Sequence, residues 1–400
     1  MFQDLQVSAF LAGRSLRRGS KGALLLTIAI IALVFVNLIF LPSIVQGVIV
    51  SFDRQAVSYL YGNLALEPRE GEVSIPDADA LVRKVGRIPG ITAAAARLTT
   101  GASITFGKRS ITSQVTGVDP GDEARVLLTA TRLTGGTYLS EGDTDVAVIG
   151  TTIAGDRNER LDDLDSLGGA GVGDLITVAY PNGQIRKYRV KGIFETEAVN
   201  ADSAVYVTRR ELATVLGAGD RASQVLVRTA TTGDEESYRN LLYSFGIGET
   251  VRTWQEKSRS MLGDISDAFA VINLISTLVS LVIAVVVIFI VVYISTMNRR
   301  RQIGILKAMG IDRGLIVNSY VLQVIFMCLV GTGLGLAILS VLVYLLNLYP
   351  LRIPGGPIYP AIEAEQVLQS MVSLFLVSVV AGFVPAWRTA SEDILSAIRG

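Results

Sequence analysis

The sequence contains no histidine, and its one cysteine, Cys328, lies within an apolar run. The missing histidine excludes the commonest general base and metal ligand, together with every Ser-His or Cys-His nucleophile pair. A single cysteine cannot form a disulfide or a zinc ribbon within one chain. We therefore predict no catalytic residue, no metal site and no cofactor-binding site in this chain. Cys328 is expected to be a small buried apolar side chain.

Charged side chains are also missing from four long apolar stretches, which cover residues 23–45, 269–295, 315–347 and 366–387. Hydrophobic residues make up 50% of the chain, and its mean hydropathy of +0.47 is high for a soluble domain. A bilayer core of about 30 Å is crossed by about 20 apolar helical residues, so each stretch predicts a transmembrane helix. The first stretch is longer than the apolar part of a signal peptide, and we expect it to remain uncleaved. Because no span holds an ionisable residue, ion-coupled transport is not expected.

The distribution of charge predicts which side of the membrane each segment occupies. Taken together, the segments 1–22, 296–314 and 388–400 hold more Arg and Lys than Asp and Glu, whereas acidic residues are in excess between 46 and 268. Positive residues collect on the cytoplasmic side. We therefore predict a multi-pass protein of the plasma or inner membrane, with both termini in the cytoplasm. Residues 46–268 and the short loop 348–365 then lie outside.

The long segment 46–268 has the length of a folded domain, and its pattern predicts mixed α/β structure. Pro181-Asn182-Gly183 between two strand-like runs is a strong hairpin signal, because Asn-Gly favours the positive φ angles of a type I′ turn. At each end, helix-like sequence (44–61 and 253–267) joins this domain to a span. Such stalks either transmit motion or only hold the domain, and the sequence leaves both alternatives open. The predicted fold class is a membrane protein with four transmembrane α-helices, one before and three after an extracytoplasmic α/β domain.

Three fragments of this outer domain imitate functional motifs without meeting their requirements. Residues 101–108 resemble a phosphate-binding loop, but five residues separate the glycines and Arg109 stands where Ser or Thr must bind magnesium. Residues 171–174 have the form of an intramembrane aspartyl protease motif, but no span holds a carboxylate to pair with Asp174. The acidic run 159–165 lacks the spacing and the glycine of an EF-hand loop. Any ATPase activity is therefore expected in another chain.

The segment between the second and third spans carries the most informative motif, which reads Arg-Arg-Arg-Gln-Ile-Gly-Ile-Leu-Lys-Ala-Met-Gly. Ile303, Leu306 and Met309 lie three residues apart, which predicts one apolar side of a short helix. Gly310 is placed to end that helix. Two interpretations remain open: a basic segment anchored on anionic lipid, or a helix inserted into a groove of a cytosolic partner. The candidate coupling residues are Arg299, Arg300, Arg301, Gln302, Ile303, Gly304, Ile305, Leu306, Lys307, Ala308, Met309 and Gly310.

Small residues in the third span, Gly331-Thr-Gly-Leu-Gly335, indicate a close approach between helices. A missing side chain lets two helix backbones come together, so we predict helix packing at Gly331 and Gly335. The packing lies either within one subunit or between two, and packing within one subunit is the favoured alternative.

Several of these motifs resemble the FtsX/MacB-like ABC transporter permease family, which includes lipoprotein-release and macrolide-export permeases. The segment 299–310 is similar to the family signature after the second span, with Gln302 in place of the usual Glu and Met309 in place of Leu. The C-terminal residues resemble the family's ending, and short pieces of the outer domain resemble its periplasmic core domain. These further matches are Pro385–Ala390, Leu395–Arg399, Val115–Pro120, Val148–Gly155, Val172–Asp174 and Val190–Ile193.

The resemblance implies a permease subunit without its own nucleotide site. It implies a separate cytosolic ABC ATPase that binds ATP and Mg²⁺ and contacts residues 299–310. It also implies a permease homodimer in contact with membrane lipid, with an extracytoplasmic adaptor or substrate carrier as a further partner; nucleic acid is not expected. ATP-driven closure would reach the outer domains through the stalk helices, a mechanism called mechanotransmission.

The sequence therefore predicts the permease of an ATP-driven exporter that exports or releases a substrate at the extracytoplasmic face. A lipid, a lipoprotein, a peptide and a drug all fit as cargo. The alternative is a transmembrane regulator with the same architecture that relays ATPase motion to an extracellular cell-wall enzyme without transport. A receptor or adhesion protein without an ATPase is a third class, and it leaves the 299–310 helix unexplained.

Overall fold

The computed structural model describes residues 21–156, 165–196, 198–298, 300–353 and 356–391. Predictions for residues 1–20, for most of the acidic run 159–165, for Arg299 and for residues 392–400 lie outside the described residues. The chain divides into two compact units. We call Ile49–Asp264 with Arg352–Ile358 the sheet unit, and Met1–Val48, Ile265–Leu351 and Tyr359–Gly400 the helical unit.

The secondary structure alternates in the middle of the chain and is helical towards both ends of the described residues. Besides a π-helical turn, Ala56–Leu60, and a 3₁₀ turn, Thr129–Thr131, the elements are, in chain order, α1 (Lys21–Gln55), β1 (Leu64–Glu67), α2 (Ala78–Val85), β2 (Ile91–Phe106), β3 (Arg109–Val118), α3 (Pro120–Val126), β4 (Leu133–Gly136), β5 (Val146–Gly150), α4 (Thr151–Ala154), β6 (Leu175–Ala179), β7 (Ile185–Phe194), α5 (Val199–Asp202), β8 (Ala204–Thr208), α6 (Arg209–Leu216), β9 (Gln224–Thr229), α7 (Glu235–Ser244), β10 (Thr250–Thr253), α8 (Trp254–Asn298), α9 (Arg300–Ala308), α10 (Arg313–Leu348), β11 (Leu351–Ile353), β12 (Gly356–Ile358) and α11 (Ala364–Ser391).

Four helices are long and apolar enough to cross a membrane, and each contains one of the predicted apolar stretches. Their bounds are Leu24–Leu60, Asp267–Asn298, Arg313–Leu348 and Ala364–Ser391. They share one buried apolar core, to which α1 contributes Phe35, α8 Ile288 and α11 Leu374. Their remaining faces expose apolar side chains, among them Val282 of α8. Helices that are apolar on every side are typical of membrane spans, so the chain is a multi-pass membrane protein.

The sheet unit is built on a mixed sheet with the strand order β10-β1-β9-β2-β3-β8-β5-β7-β4, and β6 pairs with both β2 and β7. The pairs β3–β8 and β5–β7 are parallel, and the others are antiparallel. Two main apolar clusters lie against it. One cluster includes Ile104, Tyr188 and Leu212, and the other includes Leu66, Val85 and Leu242.

The predicted turn chemistry agrees with the structure in one place and fails in another. Strands β6 and β7 pair with Ala179 opposite Ile185, and Gly183 between them has a positive φ of 82°. The hairpin predicted at Asn182-Gly183 is therefore present. Helix α2 begins at Ala78 as the pattern predicts, but Asp77 makes no side-chain capping bond. The carboxylate of Asp79, the other capping candidate, pairs instead with Arg209.

Candidate functional site: the coupling helix and the helix–sheet junction

The coupling segment forms a short helix, α9, directly after the long helix α8. The helix ends where the motif suggests, because Gly310 has a φ of 86° that favours glycine. The Gly310 N–H donates to the carbonyl of Lys307, and the Met309 N–H donates to that of Ile305. The sequence therefore defines the helix and its end through local chemistry alone.

One side of α9 is already occupied by its own chain. Ile303 is 4% exposed and belongs to the apolar core of the helical unit. Lys307 Nζ donates to the backbone carbonyl of Ala390 in α11 at 2.9 Å. Gly304 is buried as well. These contacts attach α9 to the long helices and make its position depend on theirs.

The other side of α9 exposes two apolar side chains, Ile305 at 47% and Met309 at 66%. They are four residues apart and therefore lie on one side of the helix. The sequence analysis placed Ile303 on the same docking side as Met309, and this assignment was wrong for Ile303. The motif has apolar residues on two sides of the helix, and only the packing against α10 and α11 selects which side is covered.

The small residues of α10 lie against α1. A Cβ atom on Gly331 would come within 2.7 Å of Ile31 Cγ2, and one on Gly335 within 2.9 Å of Phe35 Cδ1. Both glycines therefore permit a close contact inside one chain. Gly382 of α11, which the sequence analysis did not single out, meets Val324 of α10 in the same way at 2.6 Å. Cys328 is buried in this helical core.

The end of α1 is bonded to the sheet at three successive residues. The helix passes into the π-helical turn, a form that often marks functional positions. The carbonyl of Ser58 accepts from the Leu128 N–H at 2.9 Å, and Tyr59 Oη accepts from Arg132 Nε at 3.1 Å. The carbonyl of Leu60 accepts from Arg97 Nη1 at 3.0 Å. The last turn is thereby attached through both backbone and side chain.

Arg97 of β2 is the buried centre of this attachment. Its Nε donates to Glu123 Oε1 at 2.9 Å, Nη2 bonds the same carboxylate, and Tyr206 Oη lies at 3.4 Å. Burial lowers the pKa of Arg97, but the Glu123 carboxylate raises it by more, so the guanidinium stays charged. Within the described part of the chain, Glu123 Oε2 and Tyr138 Oη are buried without a hydrogen-bond partner. The cluster joins a helix end to the sheet through one charge pair.

The start of α8 is defined by a capping box, Thr253-Trp-Gln-Glu256. The Glu256 N–H donates to Thr253 Oγ1 at 3.3 Å, and the Thr253 N–H donates to Glu256 Oε2 at 3.2 Å. The Trp254 N–H donates to the carbonyl of Asn63, and Lys257 Nζ pairs with Glu67 Oε1 at 2.6 Å. This capping signal is visible in the sequence, although the sequence analysis did not use it.

Asn63 and Glu235 connect β1, α7 and α8. Asn63 Nδ2 donates to Glu235 Oε1 at 3.2 Å, and Gln255 Nε2 donates to Glu235 Oε2 at 3.0 Å. Burial raises the pKa of Glu235, but hydrogen bonds from the Gly233 backbone and from Gln255 lower it by more. One further bond joins the two long helices directly, from Ser258 Oγ of α8 to Asp53 Oδ1 of α1 at 2.7 Å.

Comparison with known proteins adds sequence relatives for both units. Residues 274–394 match the family model described as FtsX-like permease C-terminal. A macrolide export ATP-binding/permease protein MacB from Acinetobacter baylyi is 26% identical over 150 residues, which cover 38% of this chain and 21% of that protein. An uncharacterized ABC transporter permease, MJ1507, from Methanocaldococcus jannaschii is 24% identical over 275 residues, 66% of this chain and 65% of the relative. The chain thus spans about a fifth of the MacB length.

Two solved structures of related domains are similar to part of the chain. The extracellular domain of the noncanonic ABC-type transporter YknZ from Gram-positive bacteria covers 48% of this chain and 97% of its own, at 16% identity and a TM-score of 0.35. The periplasmic region of MacB from Actinobacillus actinomycetemcomitans covers 50% and 91%, at 14% identity and a TM-score of 0.34. The family match and the sequence relatives confirm the predicted resemblance: this chain is an FtsX/MacB-like ABC transporter permease whose residues 274–394 match the FtsX-like permease C-terminal domain.

Proposed function

We propose that this chain is the permease subunit of an ATP-driven exporter of the mechanotransmission type, which works with a separate cytosolic ABC ATPase. The family match supports a permease, and the name of the MacB relatives joins a permease to an ATP-binding protein. Among the described residues, no segment has the form of a nucleotide-binding loop. ATP and Mg²⁺ would bind to the ATPase partner, and the cargo would be exported or released at the extracytoplasmic face.

The proposed topology has one span before the sheet unit and three after it. Both termini would lie in the cytoplasm of a cell whose plasma or inner membrane holds the protein, and the sheet unit would lie outside. The cluster of basic residues around α9, from Arg300 to Arg313, supports this orientation, because such clusters remain on the cytoplasmic side. A homodimer and an extracytoplasmic adaptor or carrier are further proposed partners.

The observation that carries the proposal is the exposed apolar side of α9. Ile305 and Met309 offer a small apolar surface on a helix whose opposite side is fixed to α11 through Lys307. An amphipathic helix presents such side chains to a groove of its partner. A helix attached in this way passes a displacement to the long helices instead of moving alone.

The junction supports a mechanical role for the long helices. Helices α1 and α8 both include residues of the helical unit and of the sheet unit. Their sheet-unit ends are bonded to strands, to neighbouring helices and to each other. A displacement along either helix would therefore load Arg97, Asn63 and Glu235 rather than a loop.

The test is co-purification of the detergent-solubilised full chain with an ABC ATPase from its own cells. The double variant Ile305→Asp/Met309→Asp is expected to fold and to lose the ATPase, because charge enters only the exposed side of α9. Tyr349→Asp, at an exposed position beyond α10, is the matched control and should retain the ATPase. Ile303→Asp should instead reduce the yield of folded protein, since Ile303 is buried. If no ATPase accompanies the wild type, the proposal is wrong and the receptor class gains support.

A further inference from the structure

A basic groove lies on the surface of the sheet unit, between the end of α2 and the turn after α7. Its volume is about 340 Å³, at the lower end of the range of about 300–1,000 Å³ that is usual for small-molecule sites. Six residues line it: Ala80, Arg83, Lys84, Arg87, Ile88 and Phe245. None of these lining residues is acidic.

The positive charge of the groove is not neutralised by the protein. In the part of the chain that the structure describes, Arg83 and Arg87 have no ion-pair partner, and both are exposed. The nearest acidic residue along α2, Asp79, is held by Arg209. Cations at a helix end offset the helix dipole, but two arginines four residues apart also repel each other. The pair therefore leaves an uncompensated positive site.

The groove also has a built apolar wall. Lys84 Nζ donates to the carbonyl of Gly246 at 2.8 Å, which fixes the turn that carries Phe245. The ring of Phe245 is 49% exposed and stands on the same groove as Ile88 and Ala80. A ligand that fits must therefore combine a strong anion with an apolar part.

We propose that this groove binds a phosphate-bearing amphiphile, with the phosphate held by Arg83 and Arg87 and the apolar part against Phe245. Arginine binds phosphate through two parallel N–H bonds, and a phosphate monoester carries a charge of about −1.5 to −2 at neutral pH. A carboxylate, with one charge, matches three cations less well. The site belongs to the sheet unit alone and does not depend on an ATPase partner.

The experiment measures binding of dihexanoyl phosphatidic acid to the full chain in a nonionic detergent, by isothermal titration calorimetry. The double variant Arg83→Gln/Arg87→Gln should bind it about tenfold or more weakly, because two charge-assisted contacts are lost. The control Lys108→Gln/Lys187→Gln removes two exposed cations elsewhere on the sheet unit and should leave the affinity unchanged. Unfolding temperatures of all variants should match the wild type, since the replaced side chains are exposed.

Two further probes separate the parts of the ligand. Inorganic phosphate should bind about tenfold more weakly than the amphiphile, and Phe245→Ser should weaken only the amphiphile. Dihexanoyl phosphatidylcholine, which has the same apolar part and no net charge, should not bind measurably. Equal affinity for inorganic phosphate, equal affinity for the choline lipid, no binding of the phosphatidic acid, or an unchanged affinity in the arginine variant would each overturn the proposal.

Discussion

The two long helices join the sheet unit through different chemistry. The end of α1 depends on one buried ion pair, Arg97–Glu123, whereas the start of α8 is held by partly exposed pairs such as Lys257–Glu67 and by neutral hydrogen bonds. Removing one partner of a buried pair leaves an uncompensated charge and costs about 3–5 kcal/mol, while exposed pairs contribute about 0–1 kcal/mol. The comparison indicates that α1 is attached at one indispensable point and α8 by many small contacts.

The largest expected effect is the loss of Arg97. Arg97→Met should lower the stability of the folded sheet unit by about 3–5 kcal/mol, because Glu123 is left buried and unpaired. Chemical unfolding of the full chain in detergent measures this change. The double variant Arg97→Met/Glu123→Leu should recover most of the loss. If the double variant is no more stable than the single one, the carboxylate is not the cause.

The next effect concerns Asn63, the buried amide at the start of α8. Asn63→Ala removes the bonds to Glu235 Oε1 and Thr232 Oγ1 and leaves the Thr229 N–H without its acceptor. We expect a destabilisation of about 1–3 kcal/mol, the cost of unsatisfied buried polar groups. The same unfolding measurement applies. A loss as large as that of Arg97→Met would contradict the view that the α8 contacts are individually small.

The pH dependence sharpens the comparison further. Hydrogen bonds hold the pKa of Glu235 and of Glu256 below their usual value of 4.5 in the folded protein. A lowered folded pKa means that each carboxylate stabilises the fold above pH 4.5 and that this contribution is lost as the pH falls through the folded value. Unfolding temperatures should therefore decrease below pH 4.5. Glu235→Gln should be less stable at neutral pH and show a flatter acid profile; an unchanged profile would contradict the assignment.

The smallest effect is expected at Lys257. Its ammonium pairs with Glu67 and lies 5.0 Å from the centre of the Tyr61 ring, but about a quarter of the side chain is exposed. Lys257→Met keeps the apolar stem and removes the charge, so the stability should change by less than about 1 kcal/mol. Raising the salt concentration should produce a similarly small change in the wild type. A larger loss would mean that α8 also depends on a single charge pair.

Local patterns in the sequence predicted those elements whose chemistry is complete within a few residues. The hairpin at Asn182-Gly183, the short helix α9 and its end at Gly310 all follow from turn and capping preferences. The capping box at Thr253 and Glu256 carries the same kind of signal. The attachment of α1 was not predictable in this way, because Arg97 meets a carbonyl and a carboxylate from distant parts of the chain, with no spacing rule to announce them.

The sequence by itself determined that four helices are suited to a membrane, because the length of an apolar run and its lack of charge decide the free energy of transfer from water. It also determined where α9 begins and ends. Only the tertiary structure decided that Ile303 is covered while Ile305 and Met309 remain exposed, and that Arg97 is paired. Burial depends on which distant surface packs against a side chain, and both sides of α9 carry residues that such a surface accepts.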